Sequence, residues 1–218
     1  MDVTLAFIFR GEGVREHIFK QVAPIVSKMY PFSNVGVYDS LHNLFSRSAS
    51  RNMAVGENRS ASVVVVCDAD SIPIQDSLVQ AIEGAYADRK LHIPFNLVKV
   101  IPHGKFLRKP SSYHRIRPHY TYGPSCGGIY VCTPETWFEV GGQEERVQGW
   151  GHEDQIFYSA LLTFDKGPIY HPGTLYNVNH HRDCSSMQIP ENKDLVSRYL
   201  AAQGDPERFR EVQNEYSR

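Results

Sequence analysis

Cysteine is scarce and unpatterned in this chain: Cys67, Cys126, Cys132 and Cys184 are its four, and no two are spaced Cys-X-X-Cys. Two of them lie in apolar, strand-like runs. That usage argues against a disulfide framework and for reduced, mostly buried thiols of a cytosolic compartment. No apolar stretch approaches membrane-spanning length, and Met1-Asp2-Val3 lacks both a basic n-region and a long hydrophobic core. The expectation is a cytoplasmic protein without a membrane anchor. Neither charge sign dominates: 23 Lys and Arg face 24 Asp and Glu, for a net charge of -1. That balance argues against an extended footprint on nucleic acid and leaves room only for short basic stretches. Repeats and low-complexity tracts are absent as well. The 218 residues, 41% of them hydrophobic and 11% aromatic, suffice for one domain with a full core. We expect that domain to span residues 1–188, with residues 189–218 as a helical C-terminal appendage.

Apolar periodicity predicts alternating strands and helices. Val3 to Phe9 reads as a strand, Val14 to Lys28 as a helix, Asn34 to Tyr38 as a strand ending in Asp39, and Leu41 to Val55 as a helix. Ser62 to Cys67, with four consecutive valines, reads as a strand buried on both faces of a mostly parallel sheet. Further elements are a helix over 75–86, a strand over 95–101, a strand over 126–132, helices over 134–140 and 152–162, and strands near 169 and 175–179. The fold class is thus α/β, with right-handed crossovers and a Rossmann-like N-terminal half. Between Pro102 and Pro124 four prolines stand among Lys105, Arg108, Lys109, His114, Arg115 and His119. This segment reads as a long mobile loop over a site, or simply as a solvated basic loop.

Asp68-Ala69-Asp70 directly follows the valine run. Ligands of open α/β folds bind at the carboxyl edge of the sheet, where these acids must emerge. Acids two apart on extended backbone point the same way, so one hard cation bridging them to a phosphate-bearing substrate is one reading. Capping of a following helix is the other. A second constellation is Gly149-Trp150-Gly151-His152-Glu153-Asp154. Glycines permit close backbone approach, a Trp face is a platform for sugars, and acids in a first helical turn are held as carboxylates. Capping explains Glu153 and Asp154 but leaves Trp150 between two glycines without a purpose.

Taken in order, these segments resemble a GT-A-fold glycosyltransferase, closest to the β-1,4-galactosyltransferase group and its chondroitin-polymerase relatives. Phe9-Arg10 resembles that group's Phe-Arg-Asn-Arg, with only Arg10 carried over because Gly11-Glu12 depart from it. Phe45-Ser46-Arg47 resembles Phe-Asn-Arg. Asp68-Ala69-Asp70 resembles the Asp-X-Asp element. Cys126-Gly127-Gly128, Phe138 to Gly142 and Gly149 to Asp154 resemble the run ending in Trp-Gly-Gly-Glu-Asp, with His152 at the usual second Gly. His180-His181-Arg182-Asp183 resembles a His-X-Arg-Asp segment.

The resemblance implies a metal-dependent enzyme that moves a hexose or N-acetylhexosamine from a UDP-sugar donor to a glycan or protein acceptor. It implies nucleotide contacts from Arg10, Phe45 and Arg47, with Asp39 as a base or ribose contact or else a turn residue. Donor contacts at Asp68, Ala69, Asp70 and Trp150 are implied too. Mn²⁺ (or Mg²⁺) would be held by Asp70, Asp68 and His180, with His181 as the second choice for the imidazole. Asp154 would be the general base and Glu153 a sugar ligand, and Glu-Asp rather than Glu-Asn leans toward inversion of configuration. A retaining GalNAc-transferase-like enzyme, a nucleotidyltransferase and a binding module without turnover are the alternatives.

Overall fold

The structure is a computed structural model that describes residues 1–11, 13–40, 45–103, 110–147, 152–180 and 189–215. Its first half is built on three parallel strands, β1 (Val3–Ile8), β2 (Asn34–Tyr38) and β3 (Val63–Asp68), linked by α1 (Val14–Val26) and α2 (Arg47–Glu57). Val63, Val64, Val65 and Val66 are fully buried, as a strand covered on both faces requires. Next come β4 (Ser71–Ile72), α3 (Gln75–Asp88), β5 (His92–Ile93), β6 (Leu97–Pro102), β7 (Tyr120–Tyr122) and β8 (Ile129–Cys132). The remaining elements are α4 (Pro134–Glu139), α5 (Glu153–Thr163), β9 (Ile169–Tyr170), β10 (Thr174–Asn179), α6 (Pro190–Ala202) and α7 (Pro206–Asn214).

The strands form a six-stranded sheet in the order β2-β1-β3-β8-β5-β9 and a four-stranded sheet in the order β4-β10-β6-β7. The first is parallel through β2-β1-β3. Beyond that it is mixed, because β8 runs antiparallel to both β3 and β5. The predicted strand at 126–132 is therefore present, shortened to Ile129–Cys132, and runs antiparallel to both its neighbours. Periodicity reports burial and not strand direction.

The proline-rich segment is not a single loop. Residues Pro110–Arg115 form a 3₁₀ helix and Tyr120–Tyr122 pair with β6. Tyr113 is buried with its ring 5.4 Å from that of Tyr176. Lys105, Arg108 and Lys109 lie outside the described residues. Helices α6 and α7 place Leu195, Val196, Tyr199, Phe209 and Val212 in the same hydrophobic core as the central strands. Tyr199 and Arg146 donate to Glu144, Arg146 at 2.6 Å, which ties α6 to the stretch before α5.

The two sheets meet at the end of β3. Asp68 N–H donates to the Gly128 carbonyl at 2.8 Å, and Val178 N–H of β10 donates to the Asp70 carbonyl at 2.8 Å. Within two residues the chain leaves one sheet for the other, and that crossing fixes both carboxylates at one edge.

Candidate active site

Three strand ends deliver the first group of side chains. In the parallel register Ile8 stands opposite both Tyr38 and Asp68, so Arg10, Asp39 and Asp70 follow at the same edge. Arg10 is paired with Asp39 at 2.5 Å, and its guanidinium carbon lies 5.6 Å from the Phe45 ring centroid. Arg15 approaches the same ring at 5.6 Å. The hydrogen bond from Arg10 to Asp39 raises the arginine's pKa further. Asp39 is held in place by its neighbour, since Ser40 N–H donates to Ser50 Oγ at 3.0 Å. Ser46 starts α2 as an N-cap, accepting from Ala49 N–H at 3.2 Å. It leaves Phe45 outside the helix, and Arg47 is the first helical residue.

The second group is electrostatic. Arg51, one turn beyond Arg47, is fully buried. Its Nη2 donates to both oxygens of Asp68, at 2.8 and 3.0 Å. Its Nη1 donates to Asp154 Oδ1 at 2.8 Å, Gln143 Oε1 at 3.0 Å and Tyr130 Oη at 3.3 Å. Burial opposes its charge, but Asp68, Tyr130, Asp154 and Glu153 outweigh that and raise its pKa. Tyr130 also donates to Asp154 Oδ1. Burial pushes the Tyr130 pKa well up, so its proton stays on as a donor. Asp154 Oδ2 accepts no hydrogen bond from the described residues and faces Gly127, where an added Cβ would meet it at 2.8 Å. Arg47 pairs with the buried Glu153 and reaches Asp68 at 3.8 Å. Burial and then the Asp154 charge raise the Glu153 pKa, against Arg47 and Arg51.

The third group is a carboxylate and an imidazole. Asp70 Oδ2 lies 3.1 Å from His180 Nε2, directly after β10. Asn177 and Ser71 donate to Asp70 Oδ1 at 3.1 and 3.2 Å. Adjacent ligands of an octahedral ion at about 2.1 Å stand about 3.0 Å apart, so this pair suits two such positions. A mixed O/N donor set favours Mn²⁺ over Ca²⁺. Asp68 is engaged by Arg51 instead, and among the described residues no group of three His, Cys, Asp or Glu side chains could hold a metal. A divalent ion would thus need further ligands from phosphate oxygens or water.

Of the residues singled out from sequence, Asp68, Asp70, Glu153, Asp154, Arg47 and His180 come together at one end of the sheets, with Arg10, Asp39 and Phe45 on the same edge. Ala69 is the half-buried link between the acids. Trp150 and His181 lie outside the described residues. His152, at the family's Gly position, adopts φ 72° in the left-handed region that favours glycine. Arg51, Tyr130, Gln143 and Asn177 escaped sequence reasoning. The one available signal was the i,i+4 spacing of Arg47 and Arg51, which puts both guanidinium groups on one face of α2.

Residues 110–180 match the sequence model of a family described as the N-terminal domain of galactosyltransferase. No curated protein sequence matches. Among solved structures, the catalytic domain of Drosophila β1,4-galactosyltransferase 7 in complex with xylobiose superposes with a TM-score of 0.66 and 16% identity, over 91% of this chain and 80% of that one. A mutant of the Drosophila enzyme in complex with manganese, UDP-Gal and xylobiose gives a TM-score of 0.60 at 15% identity, over 90% and 79%. GalNAc-T7 with UDP, GalNAc and Mn²⁺ gives 0.59 at 12% identity, over 99% of this chain and 56% of that one. At these identities the likeness is one of fold. The chain has the GT-A fold of these glycosyltransferase structures, and its residues 110–180 are similar to the galactosyltransferase family model.

Proposed function

We propose that the protein is a metal-dependent glycosyltransferase that moves a hexose or N-acetylhexosamine from a UDP-sugar to a hydroxyl of a glycan or protein, with inversion. The observation that carries this reading is the arrangement of Asp154: Oδ1 is anchored by Arg51 and Tyr130, and Oδ2 is left as a proton acceptor. Asp68 shares the Arg51 guanidinium with it, and Asp70 follows two residues later beside His180.

In a single displacement the acceptor oxygen forms its bond to the anomeric carbon while the bond from that carbon to the β-phosphate oxygen breaks. The acceptor proton passes to Asp154 Oδ2, a step that general bases typically accelerate by about 10²–10⁴. Asp70 and His180 would hold Mn²⁺ or Mg²⁺, which when bound supplies positive charge against the departing diphosphate. Phe45 offers a face to the uracil ring, flanked by Arg10 and Arg15, and Asp39 stands within reach of a ribose or base. Glu153 is buried and paired with Arg47, and a role as sugar ligand is the one the family resemblance implies for it.

Among the described residues no helix is long and apolar enough to cross a membrane.

Purified protein incubated with Mn²⁺ and a panel of UDP-sugars should release UDP from at least one donor. Asp154→Asn and Asp70→Ala should lower that release at least 100-fold. Product anomers read by NMR should be opposite to the donor's. Retention would overturn the single displacement, and no release from any donor above the Asp154→Asn control would overturn the transferase reading itself.

A further inference from the structure

Arg51 is a costly residue for its position. Removing a guanidinium from water costs several kcal/mol, and buried ion pairs can often be replaced by apolar side chains without loss of stability. Its partners come from separate parts of the fold: Asp68 at the end of β3, Tyr130 in β8, Gln143 after α4, and Asp154 in the first turn of α5. The guanidinium carbon also lies 5.0 Å from the Tyr130 ring centroid. Gln143 is itself fixed, because Asn52 accepts from its N–H at 2.9 Å and donates to its carbonyl at 2.8 Å. Nothing in this arrangement lets the fork swing. A planar guanidinium with one terminal nitrogen on each of two carboxylates sets their separation, which a lysine's single ammonium cannot do.

We infer that Arg51, assisted by Tyr130, is a positioning residue of the transfer. It holds Asp68 and Oδ1 of Asp154 in one buried fork, so that Oδ2 of Asp154 faces the anomeric centre at a set distance from the acids that hold the donor. This rests on the transferase reading and adds to it a specific division of labour. Asp154 reacts through Oδ2, and Arg51 acts on the rate through Asp154, because Asp68 stays placed by its N–H bond to the Gly128 carbonyl and by Arg47 when Arg51 is changed.

The test is a set of variants assayed by UDP release from the active donor, with UDP affinity measured separately by calorimetry in Mn²⁺. Arg51→Lys should lower kcat about 100-fold and leave the donor KM and UDP affinity within about threefold. That split marks an interaction used in the transition state and not in binding. Tyr130→Phe, which deletes one oxygen and keeps the packing, should lower kcat about tenfold. In an Asp154→Asn background neither substitution should cost more than about twofold, since the group they position is gone. If Arg51→Lys does not fold, Tyr130→Phe with and without Asp154→Asn decides the matter. Folded variants with wild-type kcat, or losses that multiply independently of Asp154→Asn, would overturn the inference. An inactive wild type would remove the transferase reading and this inference together, whereas an active wild type with intact variants would remove the inference alone.

Discussion

Gly127→Ala isolates the open oxygen of the base. Gly127 does not occupy the left-handed region, so its backbone accepts alanine without strain. The added methyl carbon would lie 2.8 Å from Asp154 Oδ2 and 3.4 Å from Cγ, with Ser125 Oγ next at 3.8 Å. A relaxed contact needs roughly half an ångström more. The carboxylate cannot simply rotate aside, because Arg51 and Tyr130 hold Oδ1. Weakening those charge-assisted bonds costs about 1.5–3 kcal/mol, offset by about 0.4–1 kcal/mol from restricting the unfolded chain. A net loss of about 1–2 kcal/mol lowers Tm by roughly 3–6 °C in a domain of this size. The rate should suffer far more, with kcat falling about 100-fold because Oδ2 is both displaced and covered. Thermal denaturation and UDP release on one preparation separate the two effects. Gly123→Ala is the control, since nothing lies within 4 Å of a Cβ there. A Gly127→Ala protein with wild-type kcat would refute the assignment of Oδ2 as the reacting oxygen.

Asn177→Ala removes the amide that orients Asp70, and titration of Mn²⁺ by electron paramagnetic resonance should show affinity reduced about 10- to 100-fold; unchanged affinity would separate Asp70 from the metal. His171, 2.8 Å from His92, has its pKa lowered by burial and then by His92, against Asp88. Its neutral form is the one favoured by the fold, so this contribution to stability is present above the ordinary pKa of 6.5 and is lost as pH falls below it. Asp88 titrates below this window: burial raises its pKa, but bonds from His92 and the Lys90 amide more than reverse this, so its contribution is lost only below the ordinary 3.8. His171→Gln should therefore show a smaller drop in Tm between pH 7.5 and 5.5 than the wild type, and an equal drop would discount the pair. Tyr199→Phe should cost about 1–2 kcal/mol in urea unfolding, because it removes a hydrogen bond from the half-buried Glu144–Arg146 pair; a loss below about 0.5 kcal/mol would mean that the pair stands without it.

Element positions were readable wherever burial imposes a period. Asn34–Tyr38 agrees to the residue, and the valine run marks β3 because only a strand covered on both faces is apolar without alternation. The direction of β8 was not readable, since antiparallel Ile129–Cys132 buries the same side chains as a parallel strand would. The proline-rich stretch misled because prolines and basic residues mark surface backbone, while Tyr113 and Ile116 inside it belong to the core. At the site, short motifs pointed to Asp68, Asp70, Glu153, Asp154 and His180. They carried no information on pairing: Asp68 turns to Arg51 and Asp70 to His180, although acids two apart on a strand suggest a shared partner. Arg51 and Tyr130 went unnoticed for a physical reason. A buried arginine in a helix and a tyrosine in an apolar strand look like a surface charge and a core ring until the partners that hold them are placed.

The measurement that bears most directly on the central claim is calorimetric titration of UDP into the protein with and without Mn²⁺. The account predicts metal-dependent binding that weakens at least tenfold in Asp70→Asn and in His180→Gln, while Arg51→Lys binds like the wild type. UDP binding of equal strength with and without metal, or none under either condition, would contradict it.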